Sequence, residues 1–203
     1  MKSIKWNGKE LFPSKIICVG RNYVDHIKEL ANEVPDEPVI FLKPNSSISS
    51  EIHSCVVDAL HYEGEITFLI TNDELQGVGF GIDLTKRELQ TELKKKGLPW
   101  ERAKSFDNSA TFSEFVSFNC DISEIRMELL INNCLVQAGG CELMLNQPQQ
   151  ILDEVKSFIS FEDGDLLMCG TPKGVGPVHS GDQFTGRIFD KEKLLVEAYW
   201  QAN

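Results

Sequence analysis

Glu63-Gly64-Glu65 places two carboxylates two residues apart in a stretch, 61–70, that reads as a β-strand. Alternate strand residues share a face, so both acids project side by side, with only a glycine between them on the opposite face. Like charges this close repel unless a cation or a shared proton relieves them, although a solvated strand face also fits. Asp83 supplies a third carboxylate where a glycine-rich strand, 78–82, meets a helix start; alone, it reads equally as a helix-initiating acid. Three carboxylates without Cys or His ligands suit Mg²⁺, Mn²⁺ or Ca²⁺. His26 and Glu29 lie three residues apart in a short helical segment, where a carboxylate can orient an imidazole and raise its basicity. A surface ion pair is the ordinary alternative. Lys104 is either a snorkelling surface lysine or a cation facing a bound anion. Arg87 and Gln90 share a helix face near that helix's positive end. Thr171 lies in Cys169-Gly170-Thr171-Pro172-Lys173-Gly174, a loop that could cradle a carboxylate with backbone N–H groups or merely turn sharply. It lacks the GK[ST] ending of a phosphate-binding loop.

The elements that must position these residues are mostly strands. Residues 15–20, 39–42, 61–70 and 165–169 read as buried strands, and residues 182–200 as weakly alternating ones. Residues 127–131 and 134–137 flank Asn132-Asn133, a pair that tolerates positive φ and predicts a two-residue hairpin. One helix is expected from Thr85, as N-cap with Glu88 completing a capping box and Leu84 and Leu89 as a staple, to Gly97. A second covers 147–160, burying Ile151, Leu152, Val155, Phe158 and Ile159. The serine-rich stretch 45–55 is expected to be a surface loop. Residues 22–35 are polar with few apolar anchors and are expected to form a lid of low local stability. Strands outnumber helices without regular alternation, which favours an α+β fold.

The 203 residues fit a single domain, 1–203, with 41% hydrophobic and 25% charged residues. A formal net charge of −11 argues against nucleic acid or an anionic membrane as partner. No apolar run approaches the ~18 residues of a membrane span, and the start of the chain lacks the apolar stretch of a signal peptide. A cytoplasmic location is the expectation. The six cysteines are dispersed without zinc spacing and read as buried free thiols.

Taken in order, Val19-Gly20-Arg21-Asn22-Tyr23 with Asp25-His26, Phe41-Leu42-Lys43-Pro44, Glu63-Gly64-Glu65, Asp83-Leu84-Thr85, Lys95-Lys96-Gly97-Leu98-Pro99-Trp100, Ala103-Lys104-Ser105-Phe106 and Gly170-Thr171-Pro172-Lys173-Gly174-Val175-Gly176 resemble the fumarylacetoacetate hydrolase superfamily. The likeness is to its short acylpyruvase-like branch and spans roughly residues 15 to 185. It implies a mixed β-roll with few short helices, commonly a homodimer. It also implies Mg²⁺ or Mn²⁺ on Glu63, Glu65 and Asp83, and a water-activating dyad of His26 and Glu29. Lys104, Arg87, Gln90 and Thr171 would line the substrate pocket. The implied reaction is metal-dependent hydrolysis of a C–C bond in a small 1,3-diketo acid such as an acylpyruvate, with Lys104 stabilising the leaving enolate. Decarboxylation of oxaloacetate, or keto-acid tautomerisation, is the alternative on the same site; a non-catalytic ligand-binding relative is a third. The chain departs from the family pattern in having only Ile66 to Ile82 between the glutamates and the aspartate, and in the poorly matching 45–55 stretch.

Overall fold

A computed structural model of the chain describes residues 1–30, 33–54 and 59–203. Strands β1 (Ile4–Trp6) and β2 (Lys9–Leu11) form a small hairpin, followed by β3 (Lys15–Gly20), helix α1 (Val24–Glu29), β4 (Val39–Pro44) and β5 (Ile48–Ser49). Two long strands come next, β6 (Leu60–Thr71) and β7 (Glu74–Lys86), then α2 (Arg87–Lys95), α3 (Glu101–Lys104) and β8 (Ala110–Phe112). The remainder comprises β9 (Ile125–Ile131), β10 (Cys134–Gly140), α4 (Pro148–Lys156), β11 (Leu166–Met168), β12 (Gly176–Pro177), β13 (Gln183–Asp190) and β14 (Lys193–Gln201). The α+β expectation and the mixed β-roll both hold.

The main sheet runs β4-β3-β11-β6-β7-β8-β5, with β12 also on β6. It is mixed: β11 lies parallel to β3 and antiparallel to β6, and β5 lies parallel to β8. A second, antiparallel sheet runs β10-β9-β13-β14 and packs on β6 and β7. Between the sheets lies the larger apolar core, including Ile66, Phe68, Phe80, Met127, Leu129, Phe184 and Ile188, extended by Ile151, Leu152 and Val155 of α4. The other face of the main sheet buries Ile16, Cys18, Leu166, Met168 and Phe115. With both faces covered, β3 reads as an unbroken apolar run, whereas β9 alternates buried Ile125, Met127 and Leu129 with half-buried neighbours.

The β6–β7 hairpin carries the site. It turns at Asn72 (φ 51°) and Asp73 (φ 59°), as β9–β10 turns at Asn132 (φ 51°) and Asn133 (φ 65°). The short span between Glu65 and Asp83 thus yields a ladder paired from Leu60↔Lys86 to Thr71↔Glu74, with one register irregularity at Leu69/Ile70. Gly79 and Gly81 are glycines because of close packing: a Cβ would meet Phe115 at 2.9 Å and Thr67 Oγ1 at 2.4 Å respectively.

Several local expectations are corrected. Thr85 is not an N-cap: pairing with β6 carries β7 to Lys86, and α2 starts at Arg87 with no side-chain cap. Leu84 is buried in the core instead of stapling the helix. The second helix ends at Lys156, leaving Phe158 56% exposed. Its capping box is the reciprocal pair Gln147 and Gln150. Of the 45–55 stretch, the described part, 45–54, is no surface loop, since Ser47, Ile48, Ser49 and Ile52 are buried; residue 55 lies outside the described residues. Of the cysteines, Cys18, Cys141 and Cys169 are buried, Cys120 is half-buried and Cys134 is exposed; Cys55 lies outside the described residues. Burial pushes the Cys18, Cys141 and Cys169 thiols up, which keeps them protonated. No described helix is long and apolar enough to cross a membrane.

Candidate active site

Strand alternation and register bring the carboxylates together. Glu63 and Glu65 share one face of β6, and Asp83 on β7 stands directly opposite Glu63. Gly64 faces the other way, where a Cβ would lie 2.9 Å from Phe80 and 3.0 Å from Gln137 Oε1. All three acids are buried, and each offers an oxygen within 4.8 Å of the others'. The expected solvated face is therefore excluded.

Buried charges need partners. Lys104, the last residue of α3, donates to Glu63 Oε2 (2.8 Å), Asp83 Oδ2 (2.7 Å) and Thr85 Oγ1 (2.7 Å). Burial disfavours its charge, but Asp83 and Glu63 more than compensate and hold its pKa above the ordinary lysine value. Arg87 bonds Glu63 Oε1 through Nη2, and its Nη1 donates to Gln90 Oε1 at 2.9 Å. Burial opposes ionisation of Glu63 too, yet Lys104, Arg87 and His26 outweigh it and hold its carboxyl below the usual range. Glu65 differs. Burial, then Asp83 and Glu63, push its carboxyl well up, and among the described residues its Oε2 receives only the Gly170 N–H, at 2.8 Å.

Behind Asp83 stands Lys43, fully buried on β4. Its three N–H groups go to the Lys104 carbonyl, the Ser109 carbonyl (3.1 Å) and Ser109 Oγ (3.0 Å). Its ammonium lies 2.8 Å from Asp83 Oδ1 but has no proton left for it, and that fully buried oxygen receives no hydrogen bond. Three buried carboxylates with oxygens within 4.8 Å of one another, Asp83 Oδ1 receiving no hydrogen bond and Glu65 short of partners, fit a hard divalent cation.

His26 reaches the cleft from α1. Its Nδ1 lies 3.0 Å from Glu29 Oε2, and Glu29 Oε1 accepts from Gly174 N at 3.0 Å. A carboxylate on Nδ1 favours the tautomer in which Nε2 is the free acceptor. The first half of the expected lid is well anchored. Tyr23 and Ile27 are buried, and Asn22 Nδ2 donates to the carbonyls of Cys169 (2.9 Å) and Asn146 (3.0 Å) while its Oδ1 accepts from Asn146 N (2.8 Å). Ala31 and Asn32 of that stretch lie outside the described residues.

Gly170 has φ +92°, and a Cβ there would lie 2.9 Å from Asn22 Cβ and 3.0 Å from the Val19 carbonyl. This tight turn points its N–H at Glu65. Thr171 also lines the cleft, but its hydroxyl donates to the Gly64 carbonyl and accepts from Gln137 Nε2, each at 2.8 Å. The structure thus gathers all nine residues singled out from sequence around one cleft of about 440 Å³ or directly behind its wall. Lys43, Gln137 and Asn22 were missed as site residues. Lys43 and Asn22 belong to stretches that carried the family resemblance; for Gln137, inside a hairpin strand, the sequence offered no signal.

Residues 15–196 match the sequence model of the family described as fumarylacetoacetate (FAA) hydrolase C-terminal. An oxaloacetate tautomerase of Escherichia coli (strain K12) is 35% identical, the alignment covering 94% of this chain and 96% of that protein. The mitochondrial oxaloacetate tautomerase of Mus musculus is 38% identical, over 85% of this chain and 86% of its own length. A crystal structure from Oleispira antarctica superposes with a TM-score of 0.93 at 33% identity, covering 100% of both chains. The fumarylpyruvate hydrolase of Pseudomonas aeruginosa, solved with Mn²⁺ and pyruvate, gives 0.87 at 25% identity, covering 99% of this chain and 95% of that one.

Proposed function

The chain belongs to the fumarylacetoacetate hydrolase family, and from that premise we propose that it interconverts the keto and enol forms of oxaloacetate or a closely similar 2-oxo acid, decarboxylation being the accompanying reaction of the same site. This replaces C–C hydrolysis of an acylpyruvate as the leading reading, because the relatives named as oxaloacetate tautomerases are 35% and 38% identical, against 25% for the fumarylpyruvate hydrolase. The observation that carries it is the buried triad Glu63, Glu65 and Asp83 facing one cleft with Lys104 and the His26–Glu29 pair.

Glu63, Glu65 and Asp83 would hold Mg²⁺ or Mn²⁺, which supplies Lewis-acid polarisation of a keto group and a template for its carboxylate. His26 Nε2, its ring fixed by Glu29, takes a proton from the carbon between the two carbonyl groups. The C–H electron pair becomes the C=C bond, the π pair of the keto group moves onto its oxygen, and His26 then delivers the proton to that oxygen to give the enol. The reverse direction retraces these transfers. Lys104 stays protonated between Glu63 and Asp83 and so acts as a cationic donor, not a base. Its three N–H groups are committed, and the neutral Thr85 hydroxyl is the weakest partner to surrender to a developing enolate oxygen.

The test is a panel of oxaloacetate tautomerisation, oxaloacetate decarboxylation and acetylpyruvate hydrolysis, with and without Mg²⁺. Metal-dependent tautomerisation should dominate, and His26→Ala should lower its kcat by about 10²–10⁴. Acetylpyruvate hydrolysis faster than tautomerisation would restore the hydrolase reading. The proposed enzyme is one domain, 1–203, working as a homodimer.

A further inference from the structure

Two cations in the cleft have no partner in the chemistry described so far. Arg21 follows Gly20 at the end of β3 with φ +58°, a conformation non-glycine residues seldom take. Its side chain lines the cleft, its Nε is buried without a hydrogen-bond partner, and no carboxylate among the described residues pairs with it. Lys94 lines the same cleft from α2, one turn beyond Gln90 and two beyond Arg87. Among the described residues no carboxylate forms an ion pair with its ammonium, which lies 5.0 Å from the ring centre of Trp100. The same ring packs on Gly20, where a Cβ would stand 3.1 Å from Trp100 Cζ3. Trp100 therefore ties the Lys94 head to the backbone that presents Arg21.

A half-buried cation without a counter-charge is costly. Burial, with Arg21 and Arg87 nearby, pulls the Lys94 pKa down to about 8. The cleft lining holds four cationic side chains, Arg21, Arg87, Lys94 and Lys104, against the three carboxylates. Counting those side chains and a divalent ion on the carboxylates, positive charge exceeds negative by three, which favours a dianion over a monoanion. Arg87 and Lys104 already hold Glu63 and Asp83. Arg21 and Lys94 are the two left for a ligand.

We propose that Arg21 and Lys94 bind the second carboxylate of the substrate, so that the site selects dicarboxylic 2-oxo acids over monocarboxylic ones. This rests on the reading of the cleft as a 2-oxo acid site and names the substrate class it takes. The test uses a matched pair with no enolisable hydrogen between the reacting groups, 3,3-difluorooxaloacetate and 3,3-difluoro-2-oxobutanoate, with ¹⁹F NMR following any 3,3-difluoropyruvate released by decarboxylation so that binding is read before turnover. They share the 2-oxo acid head and differ in one end, carboxylate against methyl. Calorimetry on the Mg²⁺-loaded protein should show the dicarboxylate binding at least about tenfold tighter, the extra carboxylate gaining charge-assisted contacts that the methyl group cannot make. Arg21→Gln and Lys94→Gln should each cut that preference about tenfold, and Arg21→Lys should restore part of it. Equal affinity of the wild type for both ligands, or variants that weaken both equally, would overturn the inference. The two readings fail separately. An enzyme that tautomerises oxaloacetate with its preference unmoved by either variant loses only the dicarboxylate subsite. A protein that binds the dicarboxylate selectively through Arg21 and Lys94 but turns over no oxaloacetate loses only the proposed reaction.

Discussion

Glu65 and Asp83 are both buried carboxylates in one site, yet their neighbours give them opposite roles in stability. Asp83 stands between Lys43 and Lys104, so removing it leaves the buried Lys43 ammonium without a counter-charge and Lys104 with Glu63 alone, and Asp83→Ala confounds loss of metal with loss of fold. Glu65 lacks such partners, and its carboxyl is raised by burial, Asp83 and Glu63. In metal-free protein the folded state keeps that proton after the unfolded chain has lost it. Stability from this group is therefore greatest below the unfolded value of 4.5 and falls as pH rises toward the folded pKa. Glu65→Gln retains an oxygen for the Gly170 N–H and removes the charge. Without metal, the variant's melting temperature should match the wild type at acid pH and exceed it at neutral pH, by about 2–4 °C for each kcal/mol relieved. Excess Mg²⁺ should then raise the wild-type Tm and leave the variant nearly unmoved. Thermal unfolding across pH, with and without Mg²⁺, checks both halves; a variant that melts lower than wild type at neutral pH without metal refutes the account.

At the scale of elements, what was legible in the sequence was what is local. Asn132-Asn133 announces a hairpin because positive φ is a property of the residues in the turn, and the two glutamates share a face because pleating has a period of two. The β7–α2 boundary was not legible. Thr85, Glu88 and Leu89 carry a helix-start pattern, but pairing of His61 with Thr85 and Leu60 with Lys86 extends the strand and turns the Thr85 hydroxyl to Lys104. Lys43 was equally hidden, since a lysine at the end of an apolar strand is buried only if Asp83 and Ser109, distant in sequence, arrive beside it. Asn22 is a third such case. It looked like the start of a loose lid, yet it joins the start of α1 to the Cys169 and Asn146 carbonyls, and so to the turn that aims Gly170 at Glu65. Asn22→Ala leaves two carbonyls and one N–H without their bonds, for a loss of about 1–3 kcal/mol. The midpoint of urea unfolding should fall accordingly, with kcat reduced further than stability alone explains because His26 and Gly170 both lose their shared anchor. An unchanged urea midpoint would show that water replaces the asparagine without cost.

For the whole molecule, the two sheets cover the site from behind, and among the described residues no strand pairs with the outer edges of the second sheet, β10 and β14. Open edges invite pairing, and natural chains cover or charge them. Here apolar side chains stand exposed instead: Leu135 on β10, Leu194 and Tyr199 on β14, and Leu143 and Leu145 just beyond β10. Scattered singly they would be unremarkable, but Leu143 also lines a hollow with Tyr23, Val24 and Pro172, rimmed by the charged Asp25, Glu142 and Lys173, on the flank of the helix that carries His26. A second copy burying this face would cover apolar surface and brace α1 together. The chain should accordingly run in light scattering at micromolar concentration with twice its 22.8 kDa mass. Leu143→Asp places a charge in that face and should shift the mass toward the monomer. If pairing braces α1, dilution into monomer should lower kcat more than it raises KM, since His26 is displaced while the carboxylates on β6 and β7 stay in their ladder. A wild-type mass of 22.8 kDa at micromolar concentration with full activity would show that α1 needs no partner, and that its anchors at Asn22, Tyr23 and Ile27 suffice.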